Sequence, residues 1–191
     1  MSGLDGRAPF VVDIRELGRR PGAMMLIQRT EPAPKDLLNP MVEVPAGSGI
    51  VLDVTAESVI EGVLITGTAS TTVHGSCSRC LEPMSEPLEV EILELFRYGD
   101  LDPLTEDEEE LPTLDGDLLD LEPTVRDCVV LALPLAPVCS EDCQGLCPEC
   151  GVLLADQPDH HHDQIDPRWT KLTGVFEPTS LGDSQGTSTK D

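Results

Sequence analysis

The stretch CSEDCQGLCPECG at residues 139–151 holds four of the seven cysteines in the 191-residue chain, and a further pair, CSRC, stands at 77–80. Only 3% of the residues are aromatic, so the core is thin and a covalent or metal staple would add what packing alone supplies poorly. A disulfide staple, a redox couple and a metal site are the three readings open to such cysteines. The segment MSGLDGRAPFVVDIRELGRR at the N-terminus has no apolar run of signal-peptide length, and no segment approaches the roughly 20 apolar residues that span a bilayer. The expected compartment is therefore the cytoplasm, where thiols are kept reduced, which sets the disulfide reading aside.

The cysteines fall into three pairs, Cys77 and Cys80, Cys139 and Cys143, Cys147 and Cys150, with Cys128 left over. A Cys-x-x-Cys turn aims two sulfurs at one ion, and tetrahedral thiolate coordination is the preferred arrangement of structural zinc. In CPECG, Pro148 stiffens the turn and Gly151 lets the backbone curl with φ > 0 behind the second sulfur. A thioredoxin-type couple belongs at a strand-to-helix junction of a βαβ unit, a pattern this chain lacks. A rubredoxin-like iron site uses the same four thiolates, and sequence does not choose between the metals. All six paired cysteines are candidate ligands, for one zinc ion or two. Cys139, Cys143, Cys147 and Cys150 would make a local site. Alternatively Cys77 and Cys80 join Cys139 and Cys143, closing a loop of about 60 residues and leaving Cys147 and Cys150 to seek His160, His161 or His162 for a second site. An exposed polar turn is the plainer reading of those histidines, and His74 reads as a strand residue. Arg79, between two thiolates, would offset their charge or simply pack its stem on the surface.

Around the cysteines the pattern has period two: IVLDVTAESV from 50, EGVLITGTASTTVHG from 61 and EPLEVEILELF from 86 read as antiparallel strands. In the last of these Leu88, Val90 and Ile92 share a face that Leu93 and Leu95 do not, and a bulge near 92 and 93 would reconcile them. Residues 11–21 read as a strand running into a helical turn stopped by Pro21 and Gly22, and 30–49 as a loop or extended edge. LDLEPTVRDCVVLALP reads as a helix with Asp120 as cap, Pro123 in the first turn, and Val125, Cys128, Val129 and Ala132 on one face, ended by Pro134. Cys128 then serves as a small buried hydrophobe. DPRWTKL at 166–172 reads as a short capped helix and 176–191 as a disordered tail. The predicted fold is α+β: a β-rich antiparallel meander with one or two short helices and a C-terminal zinc-knuckle segment at 139–151, in one domain over 1–175.

Charge is unevenly placed in this −24 chain. Residues 1–50 carry six basic and six acidic side chains, whereas 91–127 carry two basic and fourteen acidic. The acidic run at about 99–121 reads as a flexible, solvated loop or as bait for a basic protein. So negative a body repels phosphate backbones. Direct RNA contact would be secondary, confined to Arg7, Arg15, Arg19, Arg20, Arg29 and Lys35. No nucleophile elbow, phosphate-cradling glycine loop or HExxH is present, and no catalysis is expected.

VHGSCSRCLEP, the helix and its exit VVLALPLAPVCSEDC, and GLCPECG together resemble the YceD family, the large ribosomal RNA subunit accumulation proteins. CxRCL at 77–81 and LALPLAPVC at 131–139 are the specific parts. The resemblance covers about residues 10–175 and implies a role in synthesis, processing or stability of large-subunit ribosomal RNA. Family members commonly keep the first cysteine pair with a Cys or His at the second, which favours Cys77 and Cys80 joining Cys139 and Cys143. Where relatives carry a further cysteine cluster after GLCPxCG, this chain has HHH. The expected function is thus a zinc-stapled, non-catalytic factor for large ribosomal subunit biogenesis, meeting a basic ribosomal protein or large-subunit precursor. A rubredoxin-like iron electron carrier and an interaction adaptor unrelated to ribosomes are the alternatives.

Overall fold

A computed structural model describes residues 3–99, 111–162 and Arg168. The chain divides into two units, Met1–Asp156 and Gln157–Asp191. In the first, seven strands and a helix follow one another: β1 (Val11–Asp13), β2 (Met24–Pro32), β3 (Val42–Glu43), β4 (Gly49–Ser58), β5 (Gly62–Ser76), β6 (Pro83–Arg97), β7 (Leu118–Asp120) and α1 (Glu122–Ala132). The fold is therefore mostly antiparallel strands with a single helix among the described residues.

Alternation dictates the main sheet. Ile50, Leu52, Val54 and Ala56 of β4 are buried while their odd-numbered neighbours face outward, the signature of a strand with one wet face. β4 pairs on one side with β2 and on the other with β5, whose long second half runs on to meet β3; β6 lies along the opposite side of β5. The inner face of this sheet packs Ile65, Val63, Ile92 and Phe96 against Val125 and Val129 of α1, with Leu119 and Leu121 sealing the rim. A second, two-stranded sheet joins β1 to β7 in antiparallel register, Val12 opposite Leu119.

The helix starts one residue later than its cap signal suggests, with Leu121 in the N-cap position. Asp120 ends β7, yet its carboxylate still accepts the Glu122 backbone N–H at 2.9 Å, so it caps the first turn from within a strand. Pro123 occupies that turn, and Leu133 closes the helix by donating to the Val129 carbonyl before Pro134. Cys128 is only half-buried, packed at the margin of the core; burial, then the nearby Glu94 and Asp127 carboxylates, push its thiol pKa up.

Two expectations are corrected. There is no bulge at 92 and 93: β6 pairs with β5 without interruption from Arg97 opposite Gly62 to Pro83 opposite Ser76. Leu93 stays outward and solvated, while Glu94 keeps the inner register. The carboxylate is tolerated because it borders an open recess of about 310 Å³ lined by Pro112, Pro123, Thr124, Asp127 and Cys128; burial, helped by Asp127, holds its pKa above the usual carboxylate range. The acidic run is also narrower than a loop over 99–121. Residues 100–110 and the expected helix at 166–172, apart from Arg168, lie outside the described residues, as does the tail at 176–191. Residues 112–121, however, are built into the fold, because Leu114, Leu119 and Leu121 are buried and Thr113 bridges to Arg97. The segment at 30–49, read as a loop or edge, supplies the end of β2, β3 and the start of β4.

Gly67 marks where the sheet admits no side chain. Its φ is +149°, and a Cβ there would stand 2.2 Å from the Asp53 carbonyl oxygen on β4. Gly67→Ala combines backbone strain with a collision against main chain, so a cost of about 3 kcal/mol is expected. Thermal unfolding should then shift down by roughly 6–12 °C; a variant as stable as the parent would mean that this register is wrong.

Candidate metal centre

The β5–β6 connection is a knuckle. Cys77 donates its N–H to the Glu82 carbonyl and accepts, through its own carbonyl, the Leu81 N–H, each at 2.9 Å. The chain therefore turns tightly through Ser78 and Arg79 and sets both thiols on one side. Residues 146–152 repeat this geometry: Cys147 N–H to the Val152 carbonyl and Gly151 N–H to the Cys147 carbonyl, each at 2.8 Å. The residue after the second cysteine takes positive φ in both knuckles, +72° at Gly151 and +62° at Leu81. Glycine adopts that conformation freely, whereas leucine does so at a cost. Sequence reading found the glycine and missed its leucine counterpart, whose only signal was its matching position after a Cys-x-x-Cys turn.

Cys139 and Cys143 come from the segment that leaves α1. The Ser78 N–H donates to the Pro137 carbonyl at 2.8 Å, and the Asn39 side chain donates to the Pro134 carbonyl at 3.1 Å, so the exit of the helix is tied both to the first knuckle and to the 37–44 turn. Arg79 completes the junction, its guanidinium donating to the carbonyls of Glu141 at 3.0 Å and Cys143 at 3.1 Å. Its part is a clamp on the partner loop, where the sequence offered charge compensation or a packed stem. The Arg79 carbonyl in turn accepts the Leu146 N–H, and a Cβ on Gly145 would come within 2.9 Å of it. Gly145, at φ +77°, is what lets the second knuckle lie against the first.

The four sulfurs of Cys77, Cys80, Cys139 and Cys143 lie within 4.8 Å of one another. The Cys77–Cys143 and Cys80–Cys139 separations are both 3.7 Å. A disulfide needs about 2.05 Å, whereas four thiolates at about 2.3 Å from a tetrahedral ion sit about 3.8 Å apart. The donor set and its spacing thus fit one metal ion, which would be held by two pairs separated by some 60 residues of chain. Cys77 and Cys80 are buried and Cys139 is exposed, so the group closes a rim of the fold.

The thiols are electrostatically unequal. Backbone N–H groups of Cys80 and Cys139, and that of Arg79 at 3.4 Å, favour the Cys77 thiolate and lower its pKa to about 6. At Cys80 a backbone hydrogen bond from Glu82 works the other way, but burial and the crowding of the other three sulfurs push the pKa up to about 12. Cys139 is raised, first by Cys143. Cys77 is thus the thiol most readily ionised, and an ion bound by the group would displace the remaining protons.

Of the six candidate ligands, the structure brings these four together. Cys147, buried, and Cys150, exposed, form the second knuckle with neither sulfur in the four-thiol group. In the second unit the Nε2 atoms of His160 and His162 are 2.8 Å apart with their rings edge to face, and His161 turns its Nδ1 to the Asp159 carbonyl. His74 lies on β5 opposite Ser85 and Glu43, as a strand residue.

Structural zinc sites contribute about 10–16 kcal/mol in small peptides, more than a domain of this size has to spare. Cys77→Ser or Cys139→Ser should therefore lose bound metal and unfold or aggregate, while Cys128→Ala keeps metal and most of its stability; elemental analysis and thermal melts read both. Acidification should release the metal, since protons compete for every sulfur, and a metal content that does not fall even in strong acid would contradict the site. Leu81→Gly removes left-handed strain and should leave the melting temperature unchanged or raised, whereas Gly151→Leu lowers it by about 1–2 kcal/mol of equivalent stability.

No solved structure matches the chain. It is 45% identical over 175 residues, 91% of its length, to Uncharacterized protein Rv2926c of Mycobacterium tuberculosis, covering 84% of that protein. It is 40% identical over 172 residues to Uncharacterized protein ML1660 of Mycobacterium leprae, covering 90% of this chain and 79% of the relative. The family model described as "Large ribosomal RNA subunit accumulation protein YceD" matches residues 65–176, a span that holds both knuckles, the four-thiol group and α1. The chain belongs to the YceD family.

Proposed function

We propose that this protein is a non-catalytic factor of large ribosomal subunit biogenesis, supporting the synthesis, processing or stability of large-subunit ribosomal RNA in the cytoplasm. Membership of a family named for accumulation of that RNA carries the reading. The four-thiol group supports a structural zinc ion as its staple, since every candidate ligand position in it is a cysteine and the spacing suits a closed tetrahedral site. Closed four-thiolate sites hold a fold together and leave no open position for a reacting molecule. Charge supports contact through a basic protein: with 36 acidic and 12 basic side chains, the chain is drawn to positive surfaces and repelled by phosphate. No helix among the described residues is long and apolar enough to cross a membrane.

Depletion of the protein, followed by quantification of large- and small-subunit ribosomal RNA and sedimentation at low salt, tests the role. A selective fall in large-subunit RNA, with the protein in large-subunit precursor fractions, is the expected outcome; unchanged RNA and absence from every such fraction would remove the reading. Iron in the same thiolates is the competing identity, because four thiolates serve both metals. Purified protein should be colourless and contain zinc; a red, iron-loaded sample that changes colour on reduction would move the assignment to electron transfer. One ion per chain corresponds to the four-thiol group, and a second would give the CPEC knuckle an ion of its own.

A further inference from the structure

The main sheet covers its inner face with the core and α1 and turns its outer face to solvent, and that face is divided into two zones by register alone. The row Met24, Glu57, Leu64, Leu95 crosses the four long strands, and the next row is Leu26, Thr55, Thr66, Leu93. Met24 and Leu26 on the edge strand β2 and Leu93 on the opposite edge strand β6 are 67%, 63% and 73% exposed. The following rows change character: Gln28, Asp53, Thr68, Glu91, then Thr30, Val51, Ser70, Glu89. Rows two residues apart stand about 6.7 Å from each other, and four strands span about 14 Å. A strip of that width, apolar at Met24, Leu26, Leu64, Leu93 and Leu95 and interrupted by Glu57, Thr55 and Thr66, thus borders a carboxylate band within reach of one extended side chain.

The band keeps its charge. Asp53 accepts from the neutral Gln28 amide and Glu89 from the Ser70 hydroxyl, both at 3.1 Å. The cations of these strands stand elsewhere: Arg29 turns to the Val11 carbonyl and to Glu31, and Arg97 sits at the far corner opposite Gly62. We propose that this outer face is the docking surface for an extended basic segment of a protein partner, its apolar side chains on the Met24, Leu26, Leu93 strip and its lysines or arginines on Asp53, Glu89 and Glu91. The inference rests on, and deepens, the reading of a factor that works through a basic protein. Charge complementarity selects the occupant. Phosphate of an RNA or of an anionic lipid surface would face uncompensated carboxylates, and a second copy of this chain would bring the same negative band. A contact of this size suits a segment rather than a whole domain, and its affinity should fall with salt because the charged half is exposed.

The test uses the full-length chain in cells, with a photo-crosslinking residue at the exposed position 66 in the middle of the strip and, as control, at Leu135, which is 83% exposed but lies outside the sheet. Position 66 should crosslink to a Lys- and Arg-rich peptide of another protein, identified by mass spectrometry, and position 135 should not. The double variants Asp53→Lys with Glu91→Lys, and Leu26→Ser with Leu93→Ser, should each lower that product at least tenfold while melting temperature and metal content stay at the parent values. Crosslinks from position 66 to RNA, to a second copy, to residues 163–191 of the same chain or to an acidic peptide would overturn the proposal, as would no product, or one that charge reversal does not diminish. Co-sedimentation of the parent with large-subunit particles is read in parallel. If the parent is absent from those particles but position 66 still finds a basic peptide, the ribosomal role falls and the docking surface stands. If the parent co-sediments and position 66 yields nothing, the surface falls and the role stands.

Discussion

Two pairs of sulfurs, one from the tip of the β5–β6 connection and one from the segment leaving α1, approach within 3.7 Å across the molecule. Their proximity joins the longest strand pair to the only helix found among the described residues. Backbone N–H groups hold the Cys77 thiol down at about 6, while at Cys80 the backbone hydrogen bond of Glu82 is overcome by burial and the neighbouring sulfurs, which push its thiol up to about 12. A cation bound by all four would turn these unequal thiols into a cross-link. The hydrogen bonds around it are directed to the same end: Ser78 to Pro137, Arg79 to Glu141 and Cys143, Leu146 to Arg79.

The rest of the architecture is a sheet that needs such a tie. Its inner face is aliphatic, with Phe96, Phe10 and Tyr98 the buried aromatics in the core cluster, and Ser58 and Tyr98 share a buried hydrogen bond at 3.0 Å. Aliphatic packing against a single eleven-residue helix buries less per residue than an aromatic core would. An ion bound there would fix the helix exit to the hairpin tip across about 60 residues of chain. Glu94 shows the same economy of packing: an inward carboxylate survives because the edge of the helix leaves an open recess beside it.

Charge and apolar exposure are arranged on the face that the core does not use. The body carries a net charge of −24, and register sorts part of it into a band beside exposed leucines and methionine on β2, β4, β5 and β6. So negative a body disfavours contact with phosphate and favours positive surfaces, and the chain belongs to a family tied by name to large-subunit ribosomal RNA.

Local pattern carried β1, β4, β5 and β6, the helix with Pro123 in its first turn, and the three cysteine pairs, since alternation, capping chemistry and Cys-x-x-Cys spacing are written in neighbouring residues; it missed β2 and β7, which are strands by their pairing with β4 and β1. The choice of ligands was open from spacing alone, and the family resemblance tilted it toward Cys77, Cys80, Cys139 and Cys143; which sulfurs converge depends on two segments about 60 residues apart, a distance no local pattern encodes. Register decided the rest. Leu93 reads as core by composition, but an unbroken ladder with β5 turns it outward and leaves Glu94 inside, and Leu114, Leu119 and Leu121 draw the end of an acidic run into the fold because burying them outweighs the repulsion of their solvated neighbours. Left-handed Leu81 followed from the knuckle's hydrogen bonds and not from leucine's own preference. Sequence determines what each short segment can be; the tertiary structure decides which face each side chain takes and which thiols meet, because both depend on how distant segments pair.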